Sequence, residues 1–221
     1  MDIVKDFKLF ANEKGVSSLV LDDVIKKTND TLTPVVLEER KMNVAAMDIY
    51  SRLLYDRILY FGHEFTPETC NLAIAQLLYL NSLEERNINI YINSPGGSVV
   101  DGLGIIDTIN FINSDVSTTC IGMAASMGAV LLSCGKQGNR FVLPHSRVMI
   151  HQVSSSMKGT YSDMKIEFEQ TERCKRDIYQ ILAKNMNKSY EEVEALCDRN
   201  NWFIGAEAIE LGIADKVLEK V

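Results

Sequence analysis

The sequence is short of everything that marks a chain for export, cross-linking or nucleic acid. Lys and Arg number 23 against 30 Asp and Glu, a net charge of −7. With no basic excess to displace counterions, this balance argues against a dedicated nucleic-acid binder. The start, Met1-Asp2-Ile3-Val4-Lys5-Asp6-Phe7, carries two acids before any apolar run. A signal peptide needs a basic start and an apolar core, and a transit peptide is Arg-rich and acid-poor. A cytoplasmic protein is therefore expected. The five cysteines, Cys70, Cys120, Cys134, Cys174 and Cys197, are odd in number and form no C-x-x-C pair. The three histidines make no H-x-x-x-H pattern. Neither a disulfide framework nor a structural zinc site is expected, and reduced buried thiols are the favoured reading.

A phosphate-binding loop is missing too. Gly97 and Gly102 have its spacing, but Leu103-Gly104 follow where Lys and Ser/Thr are required. Gly128 and Gly135-Lys136 stand too far apart, and Gln137 replaces the hydroxyl. The chain is not expected to hydrolyse ATP. One uncharged run, residues 116–135, is long enough to span a bilayer. Ser117, Thr118, Thr119, Gly122, Ser126, Gly128 and Ser133 interrupt it. A buried strand followed by a buried helix explains it better, and no membrane association is expected.

What is present is an ordinary folded composition, 46% apolar and 24% charged over 221 residues. That length fits one sizeable domain or two small ones. Residues 1–31 read as an extension, mobile or removable. Ile3, Val4, Phe7 and Phe10 fit one stripe of a short helix, and a packed helix is the alternative. From Met47 on, strands and helices alternate. The spacing predicts helices over 48–55, 66–80 (capped by Thr66, with Pro67 first), 98–112, 123–134 and 206–211. Leu72, Leu77 and Leu80 are expected inward on the second, and Val99, Leu103, Ile106 and Ile109 on the third. Strands are predicted at 58–61, 88–92, 116–121 (ended by Gly122), near Phe141, at 148–150 and around Val217. Residues 162–187 read mostly as helix, although Met164, Ile166 and Phe168 alternate like a strand. Ser189 and Glu192 form a capping box for another short helix. The pattern is an α/β domain with a mostly parallel sheet.

Ser126 sits in Gly122-Met123-Ala124-Ala125-Ser126-Met127-Gly128, at a strand-to-helix transition. Such a turn exposes a hydroxyl and aims helix N-terminal amides at developing negative charge. The strict G-x-S-x-G elbow is not met, because Ala124 takes the first glycine position. Taken alone, this motif is weak, and Ser126 reads first as a small helix-packing residue. A serine nucleophile needs a base. His63 and His145 fall in turns, whereas His151 follows the apolar strand Val148-Met149-Ile150. A structural, hydrogen-bonded histidine is the other reading.

Taken together, these segments resemble the Clp protease (ClpP) family. The matching motifs are Tyr50-Ser51-Arg52-Leu53-Leu54, Ile92-Asn93-Ser94-Pro95-Gly96-Gly97-Ser98, the segment 122–128, and Pro144-His145-Ser146-Arg147-Val148-Met149-Ile150-His151-Gln152. They occur in the family's order, and the likeness covers residues 32–221, behind the extension 1–31. The resemblance implies a ClpP/crotonase-like α/β fold, with stacked parallel β units and a protruding handle helix. It implies a serine endopeptidase that hydrolyses unfolded proteins to short peptides, with Ser126 as nucleophile and His151 as general base. The Gly97 and Met127 amides would form the oxyanion hole. It implies seven-membered rings stacked in pairs, AAA+ unfoldases of the ClpX, ClpA or ClpC type as partners, and no cofactor or metal. Residues 32–45 resemble the family's axial loops.

Two departures stand out. Asn200 occupies the family's aspartate position, and Asp198-Arg199 fall on its inter-ring acid–arginine pair. Asn200 can accept from the His151 Nδ1–H but cannot stabilise an imidazolium by charge. Asp198 swinging in is the competing orienter. His151-Gln152-Val153-Ser154-Ser155-Ser156 also lacks the proline and two glycines usual after the family's His-Gln. Asn200 suits low intrinsic activity, and both departures suit a second ClpP paralogue working in a mixed assembly. A non-catalytic structural or regulatory subunit is the alternative. A crotonase-type acyl-CoA enzyme is a remoter one.

Overall fold

The computed structural model describes residues 35–40 and 43–219. The expectations for residues 1–31 lie outside the described residues, as do residues 32–34 and 41–42 of the axial-loop segment. The chain divides into two compact units, Met1–Asp56 and Arg57–Val221. In the first, β1 (Val35–Arg40) pairs antiparallel with β2 (Asn43–Asp48), Arg40 opposite Asn43. Asp48 then caps α1 (Ile49–Tyr55), its carboxylate accepting from the Tyr50 and Ser51 amides at 3.0 Å.

The second unit begins with β3 (Ile58–Phe61), α2 (Pro67–Leu83), β4 (Ile88–Ser94) and α3 (Val99–Phe111). It continues through β5 (Val116–Ala125), α4 (Met127–Ser133), β6 (Arg140–Val142) and β7 (Arg147–Ile150). It closes with α5 (Tyr161–Met186), α6 (Tyr190–Leu196), β8 (Asn201–Ile204), α7 (Ala206–Leu211) and β9 (Lys216–Val217). The sheet order β3-β4-β5-β6-β9 is parallel throughout, as short strands joined by crossover helices require. β7 adds to β5 in parallel, and β8 to β7 antiparallel.

Strand β5 serves both halves of this sheet. Its residues 118–120 pair with β6 and its residues 123–125 with β7. The change of partner falls at Gly122, whose φ of +135° only glycine adopts easily. A Cβ there would also meet Asn93 Oδ1 at 2.6 Å. Asn93 Oδ1 accepts the Met123 amide at 3.1 Å, and the β4–β5 register shifts between Ile92 and Ser94. Gly122 thus bends the strand rather than ending it, and the helix expected from residue 123 starts at Met127. The reason is tertiary: β7 supplies ladder partners that a single segment cannot reveal. All seven residues of α4 are buried, so it sits in the core on every side.

Two further expectations change. Leu72 is exposed, while Cys70, Ala73, Leu77 and Leu80 make the inner face of α2. On α3, Gly102, Ile105, Ile106 and Ile109 are the buried residues, with Val99 and Leu103 only half-buried. Residues 161–186 are helical throughout, with Thr160 capping the start by accepting the Asp163 amide. The strand-like alternation of Met164, Ile166 and Phe168 arises because residues 161–170 are all exposed. That half of α5 meets no core of this unit, so no helical apolar stripe is imposed on it. It is the protruding handle. Its root is held by Arg140, whose guanidinium donates to the Asn185 carbonyl (2.8 Å), the Gly212 carbonyl (3.0 Å) and Asp215 Oδ2 (2.9 Å). Burial works to raise the Asp215 carboxyl, but the Arg140 hydrogen bonds outweigh it and hold the group below its usual range.

Candidate active site

Cys134 is the C-cap residue of α4. Burial pushes its thiol up to about 11, away from the thiolate a nucleophile needs. The Cys120 and Cys197 thiols are likewise pushed up by burial, to about 11 and about 12. Lys136, the only lysine close to Ser126 in sequence, is ion-paired with Asp115.

Ser126 itself stands between β5 and α4 with φ 55° and ψ −121°. A non-glycine residue there costs of order 1–3 kcal/mol, and the surrounding structure has to impose it. The Ser126 amide donates to the Met149 carbonyl at 2.8 Å, extending the β5–β7 ladder by one rung. Its carbonyl accepts from Ala129 and Val130, which starts the helix. The residue is therefore pinned from both sides with its side chain turned outward. This is the geometry of a nucleophile elbow, reached without the first glycine of the motif.

His151 follows β7 directly, and β7 is the strand that pairs with the end of β5. This adjacency brings His151 Nε2 to 2.9 Å from Ser126 Oγ. The other two histidines, His63 and His145, are exposed. Gly97 is placed by a parallel bridge to Phe65. Phe65 N–H donates to the Gly96 carbonyl and Ser98 N–H to the Phe65 carbonyl, both at 2.9 Å. These bonds flank Gly97, so its own amide turns to the opposite side. Its φ is +144°, and a Cβ would lie 2.5 Å from the Phe65 carbonyl oxygen, so only glycine fits. Met127 is the first residue of α4, where an amide has no partner within its helix. Among the described residues neither amide has a backbone acceptor.

Gly97, Met127, Ser126 and His151 line one pocket of about 60 Å³, with Val99, Val130, Ile178 and Leu182 as its apolar wall. The wall residues on α5 lie far along the chain from any motif. In the sequence Ile178 and Leu182 show only helical spacing, which reads as core.

Asn200 is positioned differently. Register pairs Ile150 with Asn201, so Asn200 lies beside His151 at the open end of the β7–β8 ladder. It is exposed, and among the described residues it makes no hydrogen bond, to His151 or to any other group. Asp198 and Arg199 are exposed and pair with each other at 3.7 Å. Gln152 Nε2 donates to the Asp198 carbonyl at 2.8 Å, a clamp that no sequence motif announced. No group of three or more His, Cys, Asp or Glu among the described residues is placed to hold a metal ion. No helix among them is long and apolar enough to cross a membrane.

The profile of the Clp protease family matches residues 40–221. An "ATP-dependent Clp protease proteolytic subunit" of Bacteroides fragilis is 48% identical over 217 residues, covering 97% of this chain and 99% of that protein. One of the same description from Porphyromonas gingivalis is 46% identical over 219 residues, covering 98% and 99%. "ATP-dependent Clp protease proteolytic subunit 1" of Salinibacter ruber is 44% identical over 190 residues, covering 86% and 82%. The chain belongs to the Clp protease family and is a peptidase of the serine type.

Proposed function

We propose that this chain is the proteolytic subunit of an ATP-dependent Clp protease, with Ser126 as nucleophile, His151 as general base and Asn200 in place of the usual acid. The observation that carries this is the 2.9 Å contact between Ser126 Oγ and His151 Nε2 at a strained strand-to-helix turn. In acylation, Oγ bonds to the peptide carbonyl carbon while its proton passes to Nε2. The carbonyl electron pair moves onto oxygen, where the Gly97 and Met127 amides receive it. The C–N bond then breaks and His151 returns the proton to the leaving amine. Water repeats the sequence on the acyl-enzyme and frees Ser126. The apolar wall of Val99, Val130, Ile178 and Leu182 favours an apolar side chain next to the cleaved bond.

The rest of the reading concerns assembly. Tyr161, Ile166 and Phe168 on the handle, and Leu72, Tyr79 and Leu83 on α2, are more than half exposed. Apolar surface of that extent favours burial against further copies, in keeping with paired seven-membered rings. Asp198 and Arg199 are the inter-ring candidates. An AAA+ unfoldase of the ClpX, ClpA or ClpC type would supply the ATP hydrolysis and the unfolded substrate, in the cytoplasm. The residues 1–31 form the extension to a peptidase domain of residues 32–221.

Asn200 offers no negative charge to an imidazolium, which supports low intrinsic activity and a mixed assembly with a second paralogue. The absence of a hydrogen bond from Asn200 to His151 also favours a second reading, a non-catalytic or regulatory subunit. A serine-reactive phosphonate separates the two. The peptidase reading expects one adduct per subunit, on Ser126, lost in Ser126→Ala. An assembled particle that takes up no adduct contradicts it.

A further inference from the structure

Ser94, the last residue of β4, is fully buried, with a hydroxyl engaged on both sides. It donates to the His63 carbonyl in the loop after β3 and accepts the Gly96 amide at 3.2 Å. The turn it holds is crowded. A Cβ on Gly96 would meet Ser126 Cβ at 2.6 Å, so this backbone lies directly against the nucleophile. On the other side of the same residue, the Ser94 carbonyl lies 3.1 Å from where a Gly128 Cβ would stand, in the first turn of α4. Ser94 thus touches the supports of both amides of the oxyanion hole. The chain turns at Pro95, which has no N–H to donate, and the Phe65 bridge fixes Gly97 only on its far side. The Ser94 hydroxyl is the side-chain anchor on the near side.

We infer that Ser94 is a positioning residue for the oxyanion hole. Its hydroxyl sets the Gly96–Gly97 turn so that the Gly97 amide meets charge that develops only in the transition state. The inference rests on the peptidase reading, because it needs Ser126 to attack a carbonyl. An amide already aimed costs no reorganisation when charge appears, whereas a loosened one gives part of that advantage back. Ground-state peptide contacts along the pocket wall do not pass through Ser94. Its loss is therefore read in transition-state binding and not in substrate binding.

The test compares wild type, Ser94→Ala and Ser94→Cys as full-length assembled particles checked by native mass spectrometry. Three quantities are measured: kcat and KM on a short peptide, the inhibition constant of a peptide aldehyde, and the affinity of the matching product peptide. The aldehyde forms a hemiacetal whose oxygen occupies the hole, while the product peptide, taken as its C-terminal alcohol, has no carboxylate or carbonyl oxygen to place there. Ser94→Ala should lower kcat about tenfold and weaken the aldehyde by a similar factor, with KM and product affinity unchanged. Ser94→Cys keeps a weak donor and acceptor and should fall between the two. If Ser94→Ala does not assemble, Ser94→Cys carries the comparison against wild type. Unchanged aldehyde inhibition in an assembled variant overturns the inference. So does a parallel loss of aldehyde and product binding, which marks general loosening of the pocket. A wild type that neither cleaves peptide nor takes up phosphonate overturns the peptidase reading itself, and this inference with it.

Discussion

The two ends of the site are built in opposite ways. At the nucleophile end, Ser126 hangs from a central strand and opens a helix buried on every side. Its strained backbone is fixed by the Met149 carbonyl and by the close approach of Gly96. At the imidazole end, His151 stands where β7 runs out, followed by residues 152–158 without regular structure. Asn200 is exposed there, and one exposed hydrogen bond, from Gln152 to Asp198, ties the two segments. A buried, multiply bonded centre is rigid because every departure leaves a polar group unpaired or a cavity open. An exposed edge carries no such cost and can be adjusted by whatever packs on it. Ser126 and the Gly97 and Met127 amides, the proposed nucleophile and oxyanion donors, are thus set by this fold itself. The orientation of His151 is left to local contacts at that exposed edge.

The largest effect should come from breaking the fixed end outright. Ser126→Ala should abolish phosphonate labelling and cut peptide turnover at least about a thousandfold, with assembly intact by native mass spectrometry. His151→Ala should match it within about tenfold, since the two groups act as a unit. Gly97→Ala comes next. Its Cβ would press on the Phe65 backbone, so about a hundredfold loss of kcat is expected, with a stability cost of roughly 1–3 kcal/mol read by thermal melting. Retention of full activity in that variant would remove Gly97 from the hole.

The open end should respond in the other direction. Asn200→Asp supplies the missing charge beside His151 and should raise kcat about tenfold or more on small peptides. No gain in an intact assembly contradicts the view that Asn200 limits the rate. If Asp198 orients His151 instead, Asp198→Ala should abolish Ser126 labelling while ring assembly stays unchanged. Gln152→Ala removes one exposed hydrogen bond and should lower kcat only a few-fold, without moving the melting temperature measurably.

Acid should weaken the Arg140–Asp215 pair at the root of α5. The Asp215 carboxyl is held below its usual range in the folded chain, so its contribution is present above the unfolded value of about 3.9. It is lost as pH falls through the lower folded value. Melting temperature should therefore fall below about pH 4 in wild type and fall less steeply there in Asp215→Asn.

Much of the fold is legible in the amino-acid sequence. The capping signals at Thr66 and Ser189, the parallel α/β alternation and the small-residue turn at Ser126 all rest on local chemistry. The helices capped by Thr66 and Ser189 stand where expected, and Ser126 lies at a strand-to-helix junction, although that helix starts at Met127 and not at residue 123. What cannot be read there depends on partners distant along the chain. Gly122 looks like a strand end, but β7 is waiting for the residues beyond it. Met164, Ile166 and Phe168 look like strand alternation because the exposed half of α5 has no core to impose helical spacing. Ser94 sits inside a family motif as one more small residue, and only its burial and its two bonds mark it out. The site is most readable where a single backbone conformation carries the chemistry. It is least readable where two loops have to meet.

The site pairs Ser126 with a His151 that receives no hydrogen bond from Asn200. The decisive measurement is the rate of phosphonate labelling at Ser126, on intact particles of wild type and Asn200→Asp. Slow labelling of every wild-type subunit, at least about tenfold faster in Asn200→Asp and absent in Ser126→Ala, is the predicted result. Equal rates in wild type and Asn200→Asp, or an adduct on any residue other than Ser126, would contradict it.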